Sequence, residues 1–228
     1  MVWRLFFLIT IVAVSGLPAS VVAQSTPTWR VQIGGGYMHS DGESSVEIGL
    51  GTVVTTDVGD GIFYKVRVER RFTESLGISL SGFTWSDHDF IRQQTFSDGS
   101  TFESRDAMGA NVLALGVVGH FLDDGGIHVV ADLFILYAWY EDLLLEGPGP
   151  PFGDGESIAV RPDSRPGMGL IVGLEIPLGT PYLSLNPWAG AAVAQFTEAF
   201  FDASRGASST VDVPLSPVMA GVSLGFRF

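Results

Sequence analysis

From Val218 to Phe228 every second residue is apolar: Val218, Ala220, Val222, Leu224, Phe226 and Phe228 lie on one parity, Gly221, Ser223, Gly225 and Arg227 on the other. Successive side chains of an extended strand point to opposite faces, so this segment has one large apolar face and one small or polar face. A helix would scatter the same residues around its axis. The pattern recurs in seven earlier runs: Trp29 to Tyr37, Ile62 to Phe72, Leu76 to Trp85, Ala107 to Phe121, Ile127 to Tyr140, Gly167 to Ile176 and Tyr182 to Phe196. In Ile62 to Phe72 the second parity carries Lys65, Arg67, Glu69 and Arg71 in succession; elsewhere it holds Arg30, Asp132, Glu175 and Arg227 among Gly, Ser and Ala. The fourth run alternates large with small residues, plus His120. The seventh is interrupted by Pro187, where a bulge at Asn186/Pro187 is expected because proline cannot donate to a ladder.

Eight strands is an even number, and their connections alternate in length. The short ones are Thr73 to Ser75, Leu122 to Gly126 and Pro177 to Pro181; the long ones are His39 to Gly61, Ser86 to Asp106, Glu141 to Ser164 and Thr197 to Pro214. A bacterial outer-membrane barrel has short periplasmic turns and long external loops, and each run is long enough for a tilted strand to cross hydrocarbon. Aromatic residues near strand ends, Trp29, Tyr37, Tyr64, Phe72, Trp85, Tyr137, Trp139, Tyr140, Tyr182 and Phe228, read as two interfacial girdles. The expected fold is all-β, an eight-stranded antiparallel up-and-down transmembrane β-barrel with both termini on the periplasmic side. A soluble barrel of lipocalin type uses the same repeat with the large apolar parity inward. Here it would turn a Gly-, Ser- and Ala-rich face to water and crowd large side chains into the centre; lipid outside and small or charged residues inside fit better.

The first residues are a separate object. A basic n-region ending at Arg4, an apolar run from Leu5 to Val14, the breakers Gly16 and Pro18, and small residues at Val21 and Ala23 read as a secretory signal peptide over 1–23, leaving 24–228 as the barrel domain. The apolar run is about half of what a membrane-spanning helix needs. Twelve basic residues against 25 acidic ones, a formal charge of -13, exclude the basic stripe that binds nucleic acid. The absence of cysteine excludes disulfides, thiolate zinc sites and thiol catalysis.

The closing segment Gly221-Val222-Ser223-Leu224-Gly225-Phe226-Arg227-Phe228, together with the eight alternating runs, resembles the small outer-membrane β-barrels of the OmpA/OmpW-like superfamily. Pro187-Trp188-Ala189-Gly190-Ala191-Ala192-Val193 is similar to the Pro-aromatic-x-Gly-x-Gly segment of OmpW-like barrels, with Ala192 where a second glycine is usual. The resemblance implies that Leu224, Phe226 and Phe228 form the signal read by the barrel-assembly machinery, and that the other partners are outer-membrane lipids, with the barrel a monomer.

Function must reside in the lumen or the long connections. Arg30, Lys65, Arg67, Glu69, Arg71, Asp132, Glu175 and Arg227 share the inner parity; with little water around them, they are expected to pair in a network that plugs the barrel. A gated pore or ligand tunnel lined by the same residues is the alternative. His39-Ser40-Asp41 and Asp87-His88-Asp89 are the local sets that suggest catalysis or a cation. Neighbouring His and Ser on a strand point apart, and hard cations need converging oxygens, so no catalytic residues, metal or cofactor are expected. The long connections hold 19 of the 25 acids and make that end strongly anionic, which favours hydration. Gly147-Pro148-Gly149-Pro150-Pro151 cannot build regular structure. The expected role is structural or surface-interacting; transport of small hydrophobic molecules is second, and lipid modification at the rim third.

Overall fold

The computed structural model of the chain describes residues 29–40, 42–48, 51–124, 126–141, 143–146, 157–160, 163–202 and 207–228. The expected signal peptide and the Gly/Pro segment 147–151 lie outside them. The described residues form fourteen strands: β1 Trp29–His39, β2 Gly42–Ile48, β3 Thr52–Val58, β4 Gly61–Arg71, β5 Leu76–Thr95, β6 Thr101–Asp124, β7 Ile127–Tyr140, β8 Leu143–Glu146, β9 Ser157–Val160, β10 Asp163–Ser164, β11 Pro166–Pro177, β12 Leu183–Asp202, β13 Ala207–Leu215 and β14 Val218–Arg227. Eight of them, β1, β4, β5, β6, β7, β11, β12 and β14, pair antiparallel around a closed ring, and these contain the eight alternating runs except Phe72, Tyr182 and Phe228, each one residue beyond its strand. The first and last strands close it in continuous register from Arg30 opposite Arg227 to His39 opposite Val218.

The stagger of the barrel can be traced through paired residues. Trp29 faces Arg70, and the line continues through Ile78, Val117, Leu133, Leu170, Ala191 and Val218, returning to β1 at His39, ten residues beyond its start. Eight tilted strands with such a shear leave an interior just wide enough for side chains to fill.

Parity decides what fills it. Ile33, Leu115, Leu133, Ile135, Leu170, Val172, Val222 and Leu224 all point outward and are strongly exposed, whereas Arg30, Gln32, Lys65, Arg67, Glu69, Asp132 and Glu175 are buried. This inverts a soluble protein, and an apolar band of this extent is a surface for hydrocarbon. Outward aromatics bracket it, with Phe72, Phe121, Tyr182, Phe226 and Phe228 towards the short turns and Tyr37, Tyr64, Tyr137 and Trp139 towards the long connections. Trp85 and Tyr140 do not belong to these girdles. Each shares the parity of the inward residues of its strand, Phe83 for Trp85 and Leu136 and Ala138 for Tyr140, and both are buried inside.

Two further expectations are corrected. Pro187 makes no bulge: β12 keeps register with β14 through Asn186, Pro187 and Trp188, and the missing N–H instead coincides with a lapse in the ladder to β11 between Gly173/Trp188 and Ile176/Leu185. The irregularities lie between Trp85 and His88 and between Phe121 and Asp123. The long connections also contain strand. β5 and β6 run on together to Thr95 and Thr101, β12 continues against β13, and β2 and β3 form a hairpin lying on β5. These segments carry the sheet past the girdle, and Val58, Phe90, Val213 and Leu215 form the far part of the apolar core.

Candidate functional site: the barrel lumen

The lumen has two halves of opposite chemistry. Towards the short turns it is ionic. Glu69 on β4 accepts from Arg30 Nη1 at 3.0 Å, lies 3.3 Å from Arg67 Nη2 and 3.7 Å from Arg71 Nε, and contacts His120 Nε2. Glu175 on β11 accepts from Arg227 Nε at 2.6 Å, pairs with Arg30, and stands 3.6 Å from Arg71 Nη2. Asp132 on β7 takes Arg67 Nη2 at 3.1 Å and the Ser79 hydroxyl at 2.9 and 3.1 Å. Each carboxylate therefore answers more than one donor, and guanidiniums bridge strands distant in sequence. That arrangement is what keeps buried charges tolerable in a space with little water.

Seven of the eight expected lumen charges, Arg30, Arg67, Glu69, Arg71, Asp132, Glu175 and Arg227, are brought into this one network. The eighth, Lys65, is on the same face but is not ion-paired among the described residues. Its Nζ sits 3.9 Å over the ring of Trp188, a cation–π contact made possible because β12 turns that indole inward. Polar neighbours complete the set: Arg30 Nη2 donates to Asn186 Oδ1 at 3.1 Å, Arg67 Nη1 to Gln32 Oε1 at 3.3 Å, and Arg71 Nη2 lies 2.8 Å from His120 Nδ1. Gln32, His120 and Asn186 share the inner parity, so alternation marks them as lumen residues; nothing local in the sequence marks them as partners.

Glycine makes room for one of these contacts. A Cβ on Gly116 would stand 2.1 Å from Asp132 Oδ1 and 2.7 Å from Ser79 Oγ, so only a residue without one lets the carboxylate reach across β6 to Ser79.

Towards the long connections the lumen is apolar and aromatic, which the parity of charges does not foretell. Trp188, Phe63, Phe83 and Phe134 form a chain of rings from β12 through β4 and β5 to β7, with centroids 5.3, 6.2 and 6.2 Å apart. Met38, Val112, Leu136 and Ile171 pack in the same cluster. Trp188 joins the halves, since its Nε1 donates to Ser223 Oγ at 3.0 Å beneath the stacked lysine. A cavity of about 20 Å³ lies at this junction, lined by residues including Arg30, Lys65, Arg67, Asp132 and Trp188; it has room for roughly one water.

At the rim, Tyr37 Oη donates to Asp60 and His39 Nδ1 contacts the same carboxylate. Ser40, just past the end of β1, is buried while His39 is 56% exposed, so the two point apart. The side chains of Asp41, Asp87, His88 and Asp89 lie outside the described residues. Among the described residues no cluster of three or more metal-ligating side chains is present.

No protein-family model matches the sequence, and no curated protein matches it. Solved structures do. The crystal structure of the outer membrane protein OprG from Pseudomonas aeruginosa superposes with a TM-score of 0.61 at 13% identity, covering 89% of this chain and 98% of OprG. The solid-state NMR structure of the outer membrane protein AlkL in DMPC lipid bilayers gives 0.61 at 12% identity over 93% and 95% of the two chains. Neisserial surface protein A gives 0.54 at 9% over 88% and 97%. The chain has the fold of these small outer-membrane β-barrels over nearly its whole described length.

Proposed function

We propose that this protein is an integral outer-membrane barrel with a closed lumen, serving a structural or surface-interaction role and not an enzymatic one. The observation that carries the reading is the sharing of carboxylates: Glu69, Glu175 and Asp132 each engage at least two donors from other strands, and a rigid ionic layer of this kind stops diffusive flow. Both termini face the periplasm, and the long acidic hairpins stand outside, where their charge keeps the surface hydrated. Outer-membrane lipids surround a monomer, and the barrel-assembly machinery reads Leu224, Phe226 and Phe228, which sit on the lipid-facing parity of the closing strand with 45, 45 and 43% of their surface exposed.

A second reading is favoured by the aromatic half of the lumen. Its lining by Phe63, Phe83, Phe134 and Trp188 suits a small hydrophobic molecule entering from the long-hairpin end. Conductance in a planar bilayer, combined with analysis of co-purified lipids, separates the two. The closed barrel gives no steady current and retains only membrane lipid; a large, steady wild-type current overturns it, and a bound apolar small molecule favours the second reading.

A further inference from the structure

The described charges of the ionic half do not balance. Among the described residues of the ionic half, Arg30, Lys65, Arg67, Arg71 and Arg227 face Glu69, Asp132 and Glu175, two more cations than acids when His120 is neutral. Part of that excess adjoins the cavity between the ionic and aromatic halves. Three cations, Arg30, Lys65 and Arg67, line it against one acid, Asp132. Asp132 is already engaged by Arg67 and Ser79, and Arg30 is engaged by Glu69 and Glu175. Lys65, 2% exposed, has the Trp188 ring as its neighbour. The side chains of Arg30 and Arg67 are 4% exposed, and each leaves its Nε–H without a hydrogen-bond partner.

We propose that this cavity is a binding site for one small monovalent anion of halide type, held by Lys65 and the flanking guanidiniums of Arg30 and Arg67. A water fits the same space and satisfies an N–H, but it leaves Lys65 with Asp132, already shared with Arg67, as its counter-charge where little solvent screens it, and that is the costly part of burying an ammonium. The volume of about 20 Å³ has room for roughly one water, which a single halide matches in size. The site rests on the closed lumen proposed above, since an open, water-filled channel would screen the same charges.

Two measurements on the full barrel refolded in detergent test it. Crystals soaked in sodium bromide should show an anomalous peak between Lys65 Nζ and Arg67. Replacing gluconate by chloride at constant ionic strength should raise the unfolding temperature of the wild type by roughly 2–4 °C, as ligand linkage predicts for a chain of this size, and should leave Lys65→Met unmoved. No anomalous peak together with superimposable chloride and gluconate curves would mean a water or an uncharged lysine in the cavity and overturns the site. If Lys65→Met fails to fold, the wild-type peak and anion exchange decide alone. Bilayer conductance reads the closed lumen separately, so a conducting barrel and a barrel that is closed but indifferent to halide are distinct outcomes.

Discussion

Glu69 carries more of the lumen than its neighbours do. It is 1% exposed and meets Arg30, Arg67, Arg71 and His120, so removing it strands several donors at once. Glu69→Ala should destabilise the barrel by about 3–5 kcal/mol, the range for breaking a buried pair by deleting one partner, read as urea unfolding of protein refolded into lipid vesicles. A change within 1 kcal/mol would mean that water already reaches these groups. Gly116→Ala makes a complementary test. The added methyl collides with Asp132 and Ser79, so overpacking should cost about 1–3 kcal/mol, whereas an alanine at Gly99, whose Cβ would meet nothing within 4 Å, is opposed only by the left-handed backbone of its turn. Legibility at this scale was partial. Alternation names the inward residues because the strand repeat is two, but which charge meets which depends on register and stagger. Arg30 and Glu175 are far apart in sequence and meet only once the ring has closed. Lys65 reads as one more member of an ion-pair set; it stacks on Trp188 because β12 brings an inward indole to its level.

For the strands, the sequence was more informative. Every alternating run became a barrel strand, since lipid outside and a crowded lumen inside leave no latitude for a one-residue slip, which would turn each strand inside out. What alternation missed lies where the contrast between faces fades. β5 and β6 pass the girdle, and there polar residues outnumber isolated apolar ones such as Phe90 and Phe102, so the alternation fades and strand reads as loop. Trp85 and Tyr140 lie near strand ends, as girdle residues do, but their parity turns them inward. The lipid face yields a prediction with built-in depth control. Leu133 is 62% exposed in the middle of the apolar band, so Leu133→Arg should cost about 2–4 kcal/mol, while Ser97→Arg in the tip between β5 and β6 should be near neutral. Equal losses in the same unfolding assay would contradict the assigned faces. On β14, deleting Phe228 removes an outward aromatic from the strand that closes the ring against β1 and takes away its backbone pairing with Trp29. Heat-modifiable folded barrel should fall sharply while export continues, and wild-type levels of folded protein would remove the assembly role from this residue.

At the scale of the molecule, the proposed closed lumen consists of two layers in series. The ionic layer fills the half near the short turns, the ring chain Trp188–Phe63–Phe83–Phe134 fills the other, and the cation–π contact of Lys65 with Trp188 couples them. Resistances in series are set by the larger one. Removing a single layer therefore exposes the other instead of opening a path: Glu69→Ala lets water into the ionic half and stops at the aromatic rings, and Phe63→Ala thins the aromatic half and stops at the guanidinium–carboxylate layer. Current should stay near the wild-type baseline in each single variant and rise well above the sum of the two in the double variant, measured on single insertions in planar bilayers. The stability losses should behave differently. Glu69 and Phe63 lie on one strand six residues apart, in separate contact sets, so their unfolding free energies should add to within about 0.5 kcal/mol. Additive stability with strongly non-additive conductance is a signature that one plug, or an open pore, cannot produce. An increase in current in Glu69→Ala alone, equal to that of the double variant, would place the whole barrier in the ionic layer and reduce the aromatic half to packing.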